Sequence, residues 1–257
     1  MDLTKSSNPI FGKNIFSQPA TSADSGVMTI NGTINKTGLM LLIVVFAATF
    51  TWRKFFGAID PATPGVLPSG IMTWTLIGAI GGFITAIITT FSPRRAAMTA
   101  PIYAVFEGLF LGAISALFEA MYPGLVMRAV SLTFGVFLIM LLLFRSGTIR
   151  ATDKFRTVIF AATGGIALVY FVSFIAGMFG ANLGFMYGNG LIGIGFSLVV
   201  VAIAALNLIL DFDMIVKGSN ARAPQYMEWY GAFGLMVTLI WLYLEILRLL
   251  SKFASRD

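Results

Sequence analysis

Cysteine and histidine are both absent from the 257 residues. That excludes disulfides, thiol nucleophiles, imidazole general bases and Cys/His metal sites together. The metal ligands that remain are hard oxygens, which suit calcium, magnesium or manganese better than zinc. Charge is the other scarcity: 11% of the residues are charged and 58% are hydrophobic. A water-soluble domain carries about 25% charged residues, so the bilayer must act as solvent for much of this chain. The net charge of +6 is then loop charge that sets topology and meets anionic lipid. No Lys/Arg run is long enough to suggest nucleic acid as a partner.

What is present is length of apolar sequence. Seven runs stand out, at 38–56, 69–91, 97–118, 125–144, 157–179, 191–216 and 230–250. A helix needs about 20 apolar residues, within a range of about 17 to 25, to span a bilayer. All seven runs fit, the sixth with tilt or an extension into water. Turn and breaker residues separate them: Asp60-Pro61, Ser92-Pro93, Tyr122-Pro123-Gly124, Ser146-Gly147 and Lys217-Gly218. The expected fold is an all-α integral membrane bundle of seven transmembrane helices, over residues 37–257. Residues 1–36 are polar and rich in Ser, Thr, Asn and Gly, and read as a disordered cytoplasmic tail.

Loop charge orients the chain. Lys5, Lys13, Lys36, Arg94, Arg95, Arg145, Arg150, Lys154, Arg156, Lys217 and Arg222 fall on one side. Arg53, Lys54, Arg128, Arg248, Lys252 and Arg256 fall on the other. The richer side is cytoplasmic, which predicts a multi-pass protein of the cell (inner) membrane with its N-terminus inside. Ala104, Gly108, Gly112 and Ala116 recur at four-residue spacing on the third helix, as Gly78 and Gly82 do on the second. Such stripes let helix backbones approach closely in lipid.

Four acids interrupt the apolar runs: Glu107 in the third, Asp211 and Asp213 late in the sixth, and Glu245 in the seventh. A charge in mid-bilayer costs about 2.5 to 3.5 kcal/mol on insertion scales, so each needs a reason to be there. No Lys or Arg lies in the middle of a span, and interior carboxylates in excess attract cations or hold protons. Asp211 is the leading candidate, with Asn207 one turn earlier on the same face as a further oxygen ligand. Asp213 lies about 200° around the helix from Asp211 and reads as a partner for loop arginines. Glu245 has Arg248 three residues on, and Glu107 has Tyr103 one turn back. Asp211, Asp213 and Glu107 are the candidate transient contacts for a cation. No cofactor and no catalytic residue is expected. Asp211 and Asp213 share one helix and diverge, unlike the facing aspartates of an intramembrane protease, and no mid-span lysine offers a Schiff base.

The segment Asn207-Leu-Ile-Leu-Asp211-Phe-Asp213-Met-Ile215, with Leu242-Tyr243-Leu-Glu245-Ile-Leu-Arg248-Leu-Leu250, resembles the last two helices of the Bax inhibitor (transmembrane Bax-inhibitor-motif) family. Met28-Thr-Ile-Asn-Gly-Thr-Ile-Asn-Lys36, Phe106-Glu-Gly-Leu-Phe-Leu-Gly112 and Tyr226-Met-Glu-Trp-Tyr-Gly231 resemble a bacterial branch of it. The resemblance implies a seven-helix fold with the last helix central, and a pH-sensitive leak for cations, calcium among them. It also implies a proton-sharing pair between an acid of the sixth helix and one of the seventh, with an arginine at the cytoplasmic end of the second helix competing for the first. By motif these are Asp211, Glu245, and Arg94 or Arg95. Two departures bear on that pair: the second acid is the longer Glu, and the connection at 218–229 is long. Asp211 and Glu245 can therefore sit at different depths, with Asp211 pairing with arginine alone.

Two carboxylates in low dielectric cannot both ionise cheaply, so a shared proton can bridge them. Its loss, or an arginine's arrival, biases a two-state bundle. Protonation is expected to favour the closed bundle, and deprotonation to open an acid-lined path. The alternative function is regulatory: the bundle and the tail, with Asn8-Pro9, bind a membrane partner such as a membrane protease.

Overall fold

The computed structural model describes residues 26–59, 68, 70–180, 188 and 190–255. Seven long helices occupy them: α1 (Ile30–Gly57), α2 (Ile71–Phe91), α3 (Ala96–Met121), α4 (Leu125–Arg145), α5 (Asp153–Met178), α6 (Leu191–Asn220) and α7 (Met227–Ala254). A single 3-10 turn, Pro93–Arg95, leads into α3. Each helix, with that turn counted into the third span, is long and apolar enough to cross a membrane. Large apolar side chains face outward along them, with Phe46 and Phe83 exposed by 74% and 67%. Such surfaces are stable in lipid and not in water. α7 is the most enclosed helix: 67% of its apolar window is buried, against 44% or less for every other.

The chain forms two compact units, one of Met1–Leu117 with Met214–Met236, the other of Phe118–Asp213 with Val237–Asp257. In the first unit the small-residue stripes bring backbones together. A Cβ on Gly108 would lie 2.6 Å from the Val44 carbonyl of α1, and one on Gly78 would lie 2.6 Å from the Phe110 amide of α3. The Thr89 and Thr99 hydroxyls meet at 2.7 Å and tie α2 to α3. In the second unit Phe212 of α6 packs edge-on and tilted against Phe137 and Phe144 of α4. Gly124 takes a left-handed φ of 81° at the head of α4. There the Glu119 carboxylate accepts from the Gly124 and Val126 amides at 2.7 and 3.1 Å, an N-terminal cap.

Two boundaries differ from the sequence expectation. The tail was expected to run to residue 36, but α1 starts at Ile30. Thr29 caps it by accepting from the Gly32 amide at 2.9 Å, and the Thr33 and Thr37 hydroxyls bond back to carbonyls one turn earlier. These polar residues are satisfied within a helix and need no water. The rest of the expected tail, with Asn8 and Pro9, lies outside the described residues, as do Asp60 and Pro61. At the other boundary, α6 continues through Lys217-Gly218 to Asn220. Arg222 then takes a φ of 52°, and the Ala221 and Ala223 amides return to the Lys217 and Gly218 carbonyls.

Candidate functional site

Two contacts set the register of α6 against α7 in the second unit. The Asp211 carboxylate accepts from the Thr238 hydroxyl. At the far end of the pair, the Lys252 Nζ donates to Ser197 Oγ and to the Gly193 carbonyl, both at 2.9 Å. Ser197, Ala204 and Asp211 are spaced by seven residues on α6, as Thr238, Glu245 and Lys252 are on α7. Seven residues turn a helix by about 700°, only about 20° short of two full turns, so each trio forms one stripe. The antiparallel pairing therefore has three levels: Asp211 with Thr238, Ala204 with Glu245, and Ser197 with Lys252.

At the first level, Asp211 has one oxygen bonded and one alone. Its Oδ2 is shielded from solvent and has no hydrogen-bond partner among the described residues. Leaving a buried acceptor unsatisfied costs about 1–3 kcal/mol, and more for a charged group. One turn earlier Asn207 donates its amide hydrogens to Thr163 Oγ1 at 2.9 Å and to the Ile203 carbonyl at 2.8 Å. Its acceptor oxygen is what remains for another donor or a cation.

At the middle level, Ala204 is fully buried and has no polar group to offer Glu245. The Glu245 carboxylate, 2% exposed, is held instead by α5 and by its own helix. The Tyr170 hydroxyl donates to it at 2.8 Å, and Arg248 reaches both of its oxygens at 3.1 Å. Arg248 also donates to the Tyr170 oxygen at 2.7 Å and lies over the ring at 5.2 Å. Tyr170, Glu245 and Arg248 thus form a closed triad in which each side chain is bonded to the other two.

Asp213 is paired with Arg156 of α5, which also lies 3.7 Å from Asp153. Glu107 belongs to the first unit, where it bonds to Tyr103. A Cβ on Gly82 would lie 2.7 Å from its Oε1, so that glycine gives the carboxylate its room. Arg94 and Arg95 are exposed on the turn Pro93–Arg95, also in the first unit. Among the described residues no three acidic groups converge on a metal site.

Sequence reasoning passed over Thr238, Tyr170, Lys252 and Glu228. Thr238 and Lys252 carry a signal after the fact, because with Glu245 they recur at seven along α7. Which α6 residue each one meets depends on the length of the hairpin, and that is not written in either helix alone.

The family model described as Bax inhibitor 1 like matches the chain over residues 8–255. No curated protein and no solved structure matches it. The matched stretch takes in all seven spans and leaves no part of the bundle outside it: the chain belongs to the Bax inhibitor 1-like family.

Proposed function

We propose that this protein is a pH-sensitive leak for cations, calcium among them, in the cell membrane of a bacterium, gated by the protonation of Asp211. The observation that carries this reading is the buried Oδ2 of Asp211, without a hydrogen-bond partner among the described residues, inside a membrane-spanning helix. An ionised carboxylate with a single hydroxyl donor is poorly compensated in low dielectric. Ionisation therefore draws a donor, a water or a cation to Oδ2, and the packing around it must open to admit one. Protonation removes that demand and favours the closed bundle. Asn207, with its acceptor oxygen one turn away, adds a second oxygen to whatever arrives.

Calcium flux into liposomes tests this at about pH 6, 7 and 8, for the wild type and Asp211→Asn. Flux that rises with pH in the wild type and loses that response in the variant is expected. Protein-dependent flux that the substitution leaves unchanged moves the gate elsewhere, with Glu107 next. No flux above empty liposomes at any pH would sink the leak and put the partner-binding role in its place.

A further inference from the structure

We infer that the Lys252 ammonium is a tethered plug, a side-chain cation seated in an oxygen-lined cation site at the end of the α6–α7 seam. The inference rests on the cation-leak reading above and names the residue that closes this end of the path.

The position is unusual for a lysine. Lys252 lies two residues before the last residue of α7, where its stem could easily carry the charge outward to water or headgroups. It turns inward instead and is 3% exposed. Two of its three N–H groups go to the Gly193 carbonyl and to Ser197 Oγ, each at 2.9 Å, and Ser197 is itself 1% exposed. A backbone carbonyl and a hydroxyl are the oxygens with which proteins replace a cation's water shell. The ammonium occupies that place while covalently unable to leave it.

The position is also in line with the candidate gate. Thr238, Glu245 and Lys252 form one stripe, and the α6 stripe facing it ends at Ser197. A cation moving along the seam between this end and Asp211 meets the ammonium first. Arg248 and Glu245, one and two turns further in, are already paired with each other. The fixed positive charge of Lys252 therefore opposes a free cation both by filling the oxygen site and by repulsion, which is strong over a few ångströms away from bulk water.

The test is calcium flux into liposomes for the wild type and Lys252→Ala, with n-propylammonium as probe. That ion is the part of the side chain the substitution removes. Lys252→Ala is expected to raise flux at least about tenfold, a modest loss of barrier for one displaced charge. Adding n-propylammonium, with both faces strongly buffered, is expected to return the variant towards wild-type flux and to leave the wild type unchanged. n-Propanol, of the same shape but neutral, is expected to do neither. Lys252→Gln keeps much of the stem without the charge, and is expected to raise flux if the alanine variant does not yield folded protein.

Equal flux in the wild type and both variants overturns the plug while the leak stands. Raised flux that n-propylammonium does not suppress, or that n-propanol suppresses equally, shows a packing defect and also overturns it. Flux absent from the wild type and present in both variants, where n-propylammonium suppresses it, supports the plug and overturns the leak as the wild type's own activity. Flux absent from all three overturns the plug and the leak together.

Discussion

Asp211 and Glu245 lie on adjacent antiparallel helices yet two helical turns apart in level, Asp211 against Thr238 and Glu245 at the height of Ala204. Two turns are about 10 Å along the seam, whereas a shared proton needs two carboxylate oxygens within hydrogen-bond distance. The acids therefore keep separate partners. Glu245 is closed in a triad with Tyr170 and Arg248, and Asp211 keeps one buried oxygen open.

Separation predicts separable phenotypes. Glu245→Gln is expected to retain the pH response of calcium flux, because Asp211 does not depend on it. The substitution leaves Arg248 without its carboxylate. Breaking a buried pair on one side costs up to about 3–5 kcal/mol, and Arg248, 35% exposed, recovers part of that from solvent. A loss of about 1–3 kcal/mol in unfolding from detergent is expected. A flux that loses its pH response in Glu245→Gln would show that the two acids are coupled after all.

Asp213 predicts the opposite pattern from its neighbour. Its carboxylate diverges from Asp211 by about 200° and is spent on Arg156. Asp213→Asn is expected to keep both flux and its pH response, and to lose about 0.5–1.5 kcal/mol, since the pair is only partly shielded. Exchanging the charges, Arg156→Asp with Asp213→Arg, is expected to recover most of that loss in the same unfolding measurement. A Asp213→Asn variant with the flat pH profile expected of Asp211→Asn would place the gate at the wrong acid.

The parts of this molecule that sequence makes legible are those set by local composition. Seven apolar runs of spanning length become seven helices because lipid leaves the backbone no other way to satisfy its polar groups. The unusual acids stand out because lipid makes them costly. Register is different in kind. Asp211 and Glu245 are both conspicuous, but whether they meet depends on how far α6 runs past Lys217-Gly218, and a capped end at Asn220 lengthens the hairpin. The start of α1 was hidden for a related reason. Thr29 and Lys36 read as solvated tail until Glu228, 192 residues beyond Lys36, is brought against them.

The glycines of the α3 stripe sit against the α1 backbone, whereas Gly164 of α5 does not sit against a neighbour. A Cβ on Gly112 would lie 2.6 Å from the Ala48 Cα and would also overlap the Ala48 carbonyl, backbone atoms that cannot swing aside. Gly112→Ala is expected to separate α1 from α3 and to abolish monodisperse folded protein. Gly164→Ala is expected to be neutral or to gain up to about 1 kcal/mol from helix propensity, since its added Cβ meets no packing neighbour within 4 Å beyond its own helix backbone. Size-exclusion profiles and melting temperatures in one detergent check both. Equal behaviour of the two variants would mean that the α1–α3 backbones do not approach this closely.

Glu228 and Gly32 make the sharpest test of the first unit. The Glu228 side chain, 3% exposed, accepts from the Thr29 amide at 2.9 Å, from the Thr29 hydroxyl at 2.8 Å and from the Lys36 ammonium. Lys36 in turn lies over the Trp229 ring at 5.5 Å. This carboxylate of α7 thereby completes the N-terminal cap of α1, and Val27 pairs with Pro224 just beyond it. It can do so because position 32 has no side chain: a Cβ there would overlap Glu228 Oε1. Gly32→Ala must displace the carboxylate from three donors, and is expected to lose about 1–3 kcal/mol despite alanine's better helix propensity. Glu228→Ala removes the same bonds and is expected to lose a similar amount. In the double variant the added methyl meets no carboxylate, so Gly32→Ala should cost nothing further and gain up to about 1 kcal/mol. Unfolding of the four proteins in one detergent closes the cycle, and simple addition of the two single losses would show that the carboxylate does not rest on Gly32.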